Sequence, residues 1–276
     1  MRIHRQRLPQ QYPTILRVAA SFALIVGLSG CAGMRSGAVS QQAELPTSSD
    51  QTDSQKRAQI RLQLAIGYFE QKQYPVALDE VKLALVADPN FVDAYSVRAL
   101  IYMAMGETRL AEENFQTAMR LSPNNPDINN NYGWYLCQND RAAQSIAYFD
   151  AALKNRSYQS PGKALNNAGM CSLKLGDLPA AERYLTQAFQ LDPSDPSTNV
   201  NLAKTYYMKG DYTRARFYVG RATKDDAVSA DTLWLAIRVE HKLGDRGAEA
   251  SLTTQLRRRH PNSAEYAALQ RGAFDE

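Results

Sequence analysis

Cysteine and histidine are the residues here most able to do chemistry, and their placement limits what that chemistry is. Cys31 ends the run Leu28-Ser29-Gly30-Cys31, a thiol behind small residues and an apolar stretch. Cys137 and Cys171 lie mid-chain. His241 and His260, the only histidines beyond residue 30, sit near the C-terminal end, and neither has a partner at ligand spacing. The chain contains no G-x-G-x-x-G, no Walker loop, no H-E-x-x-H helix and no G-x-S-x-G turn. The acid pairs Glu112–Glu113 and Asp225–Asp226 fall at solvated helix or loop positions. The expectation is a chain that is not an enzyme, with no catalytic residue, no metal, no cofactor and no small-molecule substrate. Its reactive group would be the Cys31 thiol.

The residues ahead of Cys31 explain why. Residues 1–17 carry Arg2, Arg5, Arg7 and Arg17, and the apolar run from Val18 to Leu28 follows. A basic start, an apolar core and small residues at the cut describe a secretory signal over residues 1–30. A membrane-spanning helix would need about 20 apolar residues, and the run is too short for that. Leu28-Ser29-Gly30-Cys31 resembles the bacterial lipobox, which implies cleavage before Cys31 and acylation of its thiol and new amino terminus. Residue 32 is Ala, not the Asp that retains such proteins in the inner membrane. The resemblance therefore implies a lipid anchor on the periplasmic face of the outer membrane. Residues 31–57, rich in Ser, Gln, Thr and Asp, read as a disordered tether.

Charge excludes a second class of function. Formal net charge is +4, but the four leader arginines account for it: without them, 28 basic residues face 28 acidic ones. A nucleic-acid partner needs a basic footprint, and none is visible.

The positioning framework is a repeat. Pro89 and Pro123 lie one 34-residue period apart, and Pro193 and Pro261 follow at about two periods each. That period is the signature of the tetratricopeptide helical hairpin. With Ala58 as position 1, Leu64, Ala65 and Tyr68 fall on one face of helix A, and Ala77, Val81 and Ala84 on one face of helix B. Repeat two gives Tyr95, Ala99, Tyr102, Ala111, Phe115 and Ala118. Repeat four gives Leu165, Ala168, Gly169, Ala181, Leu185 and Ala188. Repeat five gives Leu202, Ala203, Tyr206, Ala215, Val219 and Ala222. Repeat three keeps Tyr132, Gly133, Leu136, Ser145, Phe149 and Ala152, but lacks the stop proline and gains two residues. Repeat six keeps Leu233, Ile237 and Gly244, with Gly247 and Thr253 in a weak helix B. Gly106, Gly176, Gly210 and Gly244 share the position where helix A must turn, which calls for left-handed backbone.

The expected fold is therefore an all-α right-handed solenoid of about six repeats (58–91, 92–125, 126–161, 162–195, 196–229 and 230–261), closed by a cap over 262–276. Such folds work through the concave face lined by helix A. Positions 5, 9 and 12 of helix A should point there. In repeats one and two these are Leu62, Ile66, Phe69, Ser96, Leu100 and Met103, an apolar strip suited to a protein partner or to packing against the tether. In repeats three and four, Asn130, Asn131 and Trp134, with Asn166, Asn167 and Met170, add amides that either bond a peptide backbone or cap helices. Cys137 and Cys171 fall on helix A of adjacent repeats. In an oxidising compartment they would close a disulfide; otherwise they are two buried thiols, and a Cα separation above about 7 Å would forbid the bond.

A lipobox, about six such repeats and the segment Asn130-Asn131-Tyr132-Gly133-Trp134-Tyr135-Leu136-Cys137 resemble the type IV pilus biogenesis lipoproteins of the PilF/PilW family. The ending from Gln255 to Tyr266, a basic helix, Pro261 and then Ser263-Ala264-Glu265-Tyr266, is similar to that family's C-terminus. The resemblance implies a pilotin, which helps the pilus secretin subunit reach the outer membrane and form its multimer. The weak helix B of repeat six departs from the pattern. A general envelope scaffold, recruiting peptidoglycan enzymes or outer-membrane assembly machinery, is the alternative.

Overall fold

The computed structural model describes residues 51–224 and 227–274. Cys31, the leader and the tether up to residue 50 lie outside the described residues. The described chain is helical, with no strand: α1 (Asp53–Glu70), α2 (Tyr74–Ala87), α3 (Val92–Ala104), α4 (Thr108–Leu121), α5 (Pro126–Gln138), α6 (Ala142–Lys154), α7 (Pro161–Lys174), α8 (Leu178–Leu191), α9 (Pro196–Met208), α10 (Tyr212–Ala222), α11 (Ala230–Leu243), α12 (Arg246–Arg259) and α13 (Ala264–Arg271). None of these helices is long and apolar enough to cross a membrane. The first twelve pair as six hairpins of the tetratricopeptide type. Each helix A packs on its own helix B and, where the array supplies them, on the helix B before it and on the next helix A.

One backbone device closes all six hairpins. The amides of Gln73, Glu107, Arg141, Asp177, Asp211 and Asp245 donate to the carbonyls of Tyr68, Tyr102, Leu136, Ser172, Tyr206 and Glu240, at 2.9–3.1 Å. This is the Schellman bond, which satisfies a helix-end carbonyl and needs left-handed backbone one residue earlier. Gly106, Gly176, Gly210 and Gly244 supply it, with φ of 73–79°. Repeats one and three must use Lys72 (φ 60°) and Asp140 (φ 59°) instead. In repeats four to six an aspartate follows the glycine and caps helix B: Asp177, Asp211 and Asp245 accept from the amides of Ala180, Arg214 and Ala248. The B helices of repeats one to three have no side-chain cap.

Within each of the first five hairpins a small residue on helix A faces a large one on helix B. Val81, Phe115, Phe149, Leu185 and Val219 are buried opposite Ala65, Ala99, Gly133, Gly169 and Ala203. A β-carbon at Gly169 would lie 2.4 Å from Leu185 Cγ, so that approach requires glycine. Where repeat three lacks its proline, Tyr158 fills the joint, buried against Ala152 and Ala164. In repeat six only Leu256 of α12 is buried. There α13 lies against α11, and Tyr266, Ala268 and Leu269 cover Trp234, Ile237 and Leu256.

At repeat one the structure corrects two expectations. Residues 53–57 belong to α1, not to the tether. Thr52 accepts from the Gln55 amide at 3.2 Å and donates its own amide to the Gln55 side chain at 2.9 Å, a reciprocal cap that starts the helix early. Leu64 is 43% exposed, although its counterparts Tyr132 and Leu202 are buried. Those two pack on the preceding repeat, and nothing described precedes repeat one.

Candidate functional site

The positions expected to face the groove divide into two groups. Ile66, Phe69, Leu100, Met103, Asn131 and Trp134 are half-buried. Leu62, Ser96 and Asn130 are not surface residues: they are 4%, 4% and 1% exposed. Position 5 lies at the contact between successive A helices, so the next repeat covers it. Leu62 belongs to a cluster with Ala65, Val81, Ala94 and Ile101, on which Ile66 and Phe69 rest. Leu100 and Met103 pack over Phe115 and Tyr132 in the same way. The apolar positions of this face that keep some solvent exposure are thus Ile66, Phe69, Leu100 and Met103.

The amides beside this strip form relays across the A helices. Asn167 donates to Asn130 Oδ1 at 2.9 Å, Asn130 to Asn131 Oδ1 at 3.2 Å, and Asn131 to Ser96 Oγ at 3.2 Å. In a second set Asn201 donates to Asn166 Oδ1 at 3.0 Å, and Thr198 donates to the same oxygen at 3.4 Å. Burial explains the relays, because a buried amide without a partner would cost about 1–3 kcal/mol. The capping role falls to other residues. Asn125 accepts from the amides of Asp127 and Ile128, and Asn129 ties the helix start to the carbonyls of Pro123 and Asn125. Beyond the relays the A helices enclose a depression of about 500 Å³ lined by Trp134, Asn166, Asn167, Met170, Val200 and Asp231, among others.

Covalent and ionic links hold these helices in register. Cys137 of α5 and Cys171 of α7 form a disulfide with a Cα–Cα distance of 5.9 Å. On the hairpin side, Glu112 accepts from Tyr132 (2.7 Å) and Arg141 (3.0 Å), linking repeat two to repeat three. Burial works to raise the Glu112 carboxyl, but the bonds from Tyr132 and Arg141 hold it below its ordinary value. Glu182 is likewise lowered, chiefly by the Lys209 ammonium and then by the Tyr206 hydroxyl. Burial, followed by the Glu182 bond, pushes Tyr206 up to about 12, so the phenol remains a donor. Sequence reasoning missed these ties; their only trace was a Glu at one helix B position in repeats two and four.

Two family models described as tetratricopeptide repeat match residues 96–160 and 172–238. The type IV pilus assembly protein PilF of Pseudomonas aeruginosa is 28% identical over 255 residues, which is 92% of this chain and 98% of that protein. The crystal structure of PilW, a widely conserved type IV pilus biogenesis factor, superposes with a TM-score of 0.72 at 34% identity, covering 77% of this chain and 98% of the other. A structure of Pseudomonas aeruginosa PilF superposes with a TM-score of 0.72 at 26% identity, covering 80% of this chain and 100% of that one. The similarity extends over nearly the full length of these relatives and carries the same helical array, so the chain belongs to the PilF/PilW family of type IV pilus biogenesis tetratricopeptide proteins.

Proposed function

We propose that the chain is an outer-membrane lipoprotein, anchored through Cys31, that binds the pilus secretin subunit and promotes its localisation and multimerisation. The observation that carries this reading is the half-buried strip of Ile66, Phe69, Leu100 and Met103 on consecutive A helices of a pilus-biogenesis family member. A half-buried apolar strip gains by losing its remaining water contact, at about 25 cal/mol per Å². Asn131 and Trp134 extend the strip with an amide and a large ring of the kind found at interface anchors. Membership of a pilus assembly family supports the secretin as partner, and the Leu28-Ser29-Gly30-Cys31 sequence supports the anchor.

Ile66→Glu tests the groove. It places a charge where an apolar partner would have to bury it, at a cost of several kcal/mol. The expected result is a folded repeat array, seen by circular dichroism, with loss of heat-stable secretin multimer from outer-membrane fractions. Wild-type multimer levels with the folded variant would move the binding surface elsewhere. Normal multimers in a deletion strain would remove the secretin reading and favour a general envelope scaffold. Cys31→Ser should leave an unprocessed precursor that no longer fractionates with outer membrane; unchanged fractionation would refute the anchor.

A further inference from the structure

Phe274, the last described residue, lies beyond α13 and rests on the groove positions of repeat six. In the 34-residue frame, Trp234, Arg238 and His241 of α11 hold the places that Leu62, Ile66 and Phe69 hold in α1. Tyr207 of α9 holds the place of Met103 in α3. After α13, Gly272 (φ 70°) reverses the chain and brings Phe274 back onto this face. The Phe274 ring stacks on the His241 imidazole, with centroids 3.8 Å apart and planes at 5°, and meets Trp234 at 5.4 Å. Arg238 Nε donates to the Phe274 carbonyl at 2.9 Å, and the Tyr207 hydroxyl lies 3.5 Å from the same oxygen. The Arg238 guanidinium lies over the Tyr207 ring at 4.7 Å, which fixes its orientation.

These contacts are those of a bound peptide. A main-chain carbonyl takes a charge-assisted bond that any residue could offer. The side chain enters a slot between His241 and Trp234 that favours an aromatic ring. We propose that repeats five and six carry a peptide subsite selective for an aromatic residue, filled in cis by the chain's own C-terminal segment. A partner segment presenting an aromatic side chain competes with that segment for the subsite. The inference stands on the Phe274 geometry and does not depend on the secretin reading. A short connection holds the tail at an effective concentration on the order of millimolar, so an intrinsic Kd of about 0.1 mM or tighter keeps the free subsite a minor population in the intact chain. Apparent affinity for an outside peptide falls in proportion to that population.

The test uses the full chain and a fluorescein-labelled peptide of residues 268–276, read by fluorescence anisotropy. Phe274→Ala removes the ring from the slot without touching its walls, leaving only the main-chain carbonyl on Arg238 to hold the segment, and should bind the peptide. Wild-type chain should bind it at least about tenfold more weakly, corresponding to a subsite about nine-tenths closed. Phe274→Ala combined with Arg238→Met should lose binding, as should a peptide with alanine in place of its phenylalanine. Equal binding by wild type and Phe274→Ala, no binding by the folded Phe274→Ala chain, or equal binding of the alanine peptide would each overturn the proposal. A second readout avoids the empty subsite. With 4-fluorophenylalanine at position 274 of otherwise wild-type chain, the fluorine resonance is displaced by the His241 and Trp234 rings. It should move toward the free-peptide position as unlabelled peptide is added; a resonance that stays fixed at saturating peptide overturns the competition.

Discussion

Replacing Gly169 with alanine should destabilise the protein, although alanine is the better helix former. The helix preference favours alanine by about 0.5–1 kcal/mol. Against it, the new β-carbon would lie 2.4 Å from Leu185 Cγ and 2.7 Å from its Cδ2. Leu185 is fully buried among Ala181, Leu202 and Ala203, so it has no open direction in which to move. Overpacking of this kind costs about 1–3 kcal/mol. The net expectation is a loss of about 1–2 kcal/mol, or a fall of about 2–8 °C in melting temperature for a chain of this size. Leu185→Val alone should cost about 1 kcal/mol through the lost methylene. In the Gly169→Ala background the same change should restore stability, because it recreates the buried Ala203–Val219 pair of repeat five. Thermal melts of the four proteins give the coupling energy, expected to exceed about 1 kcal/mol in favour of the double variant. Gly133→Ala should cost less, since its β-carbon meets the Phe149 ring at 2.9 Å and repeat two already pairs Ala99 with Phe115. A Gly169→Ala protein at least as stable as wild type, or additive single and double variants, would refute the close-approach argument.

Lys72→Gly with Gln73→Asp should raise the melting temperature. It relieves left-handed backbone at Lys72 and supplies the cap that α2 lacks, a gain of about 1–2 kcal/mol; no gain would mean that the turn bears no strain. Reducing the Cys137–Cys171 disulfide, which closes a 34-residue separation, should cost about 3–4 kcal/mol on the loop-entropy model. Two free thiols per denatured, alkylated chain, beyond any at Cys31, would refute the bond. Glu112 and Glu182 are both held below the ordinary 4.5, so their contribution is complete above that pH and is lost as acid protonates the folded carboxylates. Melting temperature should be level between about pH 5 and 7 and fall below about 4.5. Glu112→Gln should shrink that fall, and an unchanged acid profile would show that the Tyr132–Glu112–Arg141 tie contributes nothing.

The sequence by itself determined the repeat and its internal packing. The period, the small residues opposite Phe115, Leu185 and Val219, and the turn glycines at 106, 176, 210 and 244 are local requirements of a helical hairpin. Each is met by residues within one repeat, so spacing alone reveals it. The open strip of Ile66, Phe69, Leu100 and Met103 was legible for the same reason, since a helix face follows from its register. Tertiary structure decided whatever depends on which neighbour covers that face. Leu62, Ser96 and Asn130 share the groove register yet are buried, because the following A helix lies over position 5. Leu64 is exposed for the converse reason. The start of α1 at Asp53 turns on a reciprocal cap inside a polar segment that composition read as tether. The partnerships of Glu112 with Arg141 and of Phe274 with Arg238 join residues 29 and 36 positions apart in sequence. No period within the chain specifies those contacts; they exist because stacking fixes which faces meet.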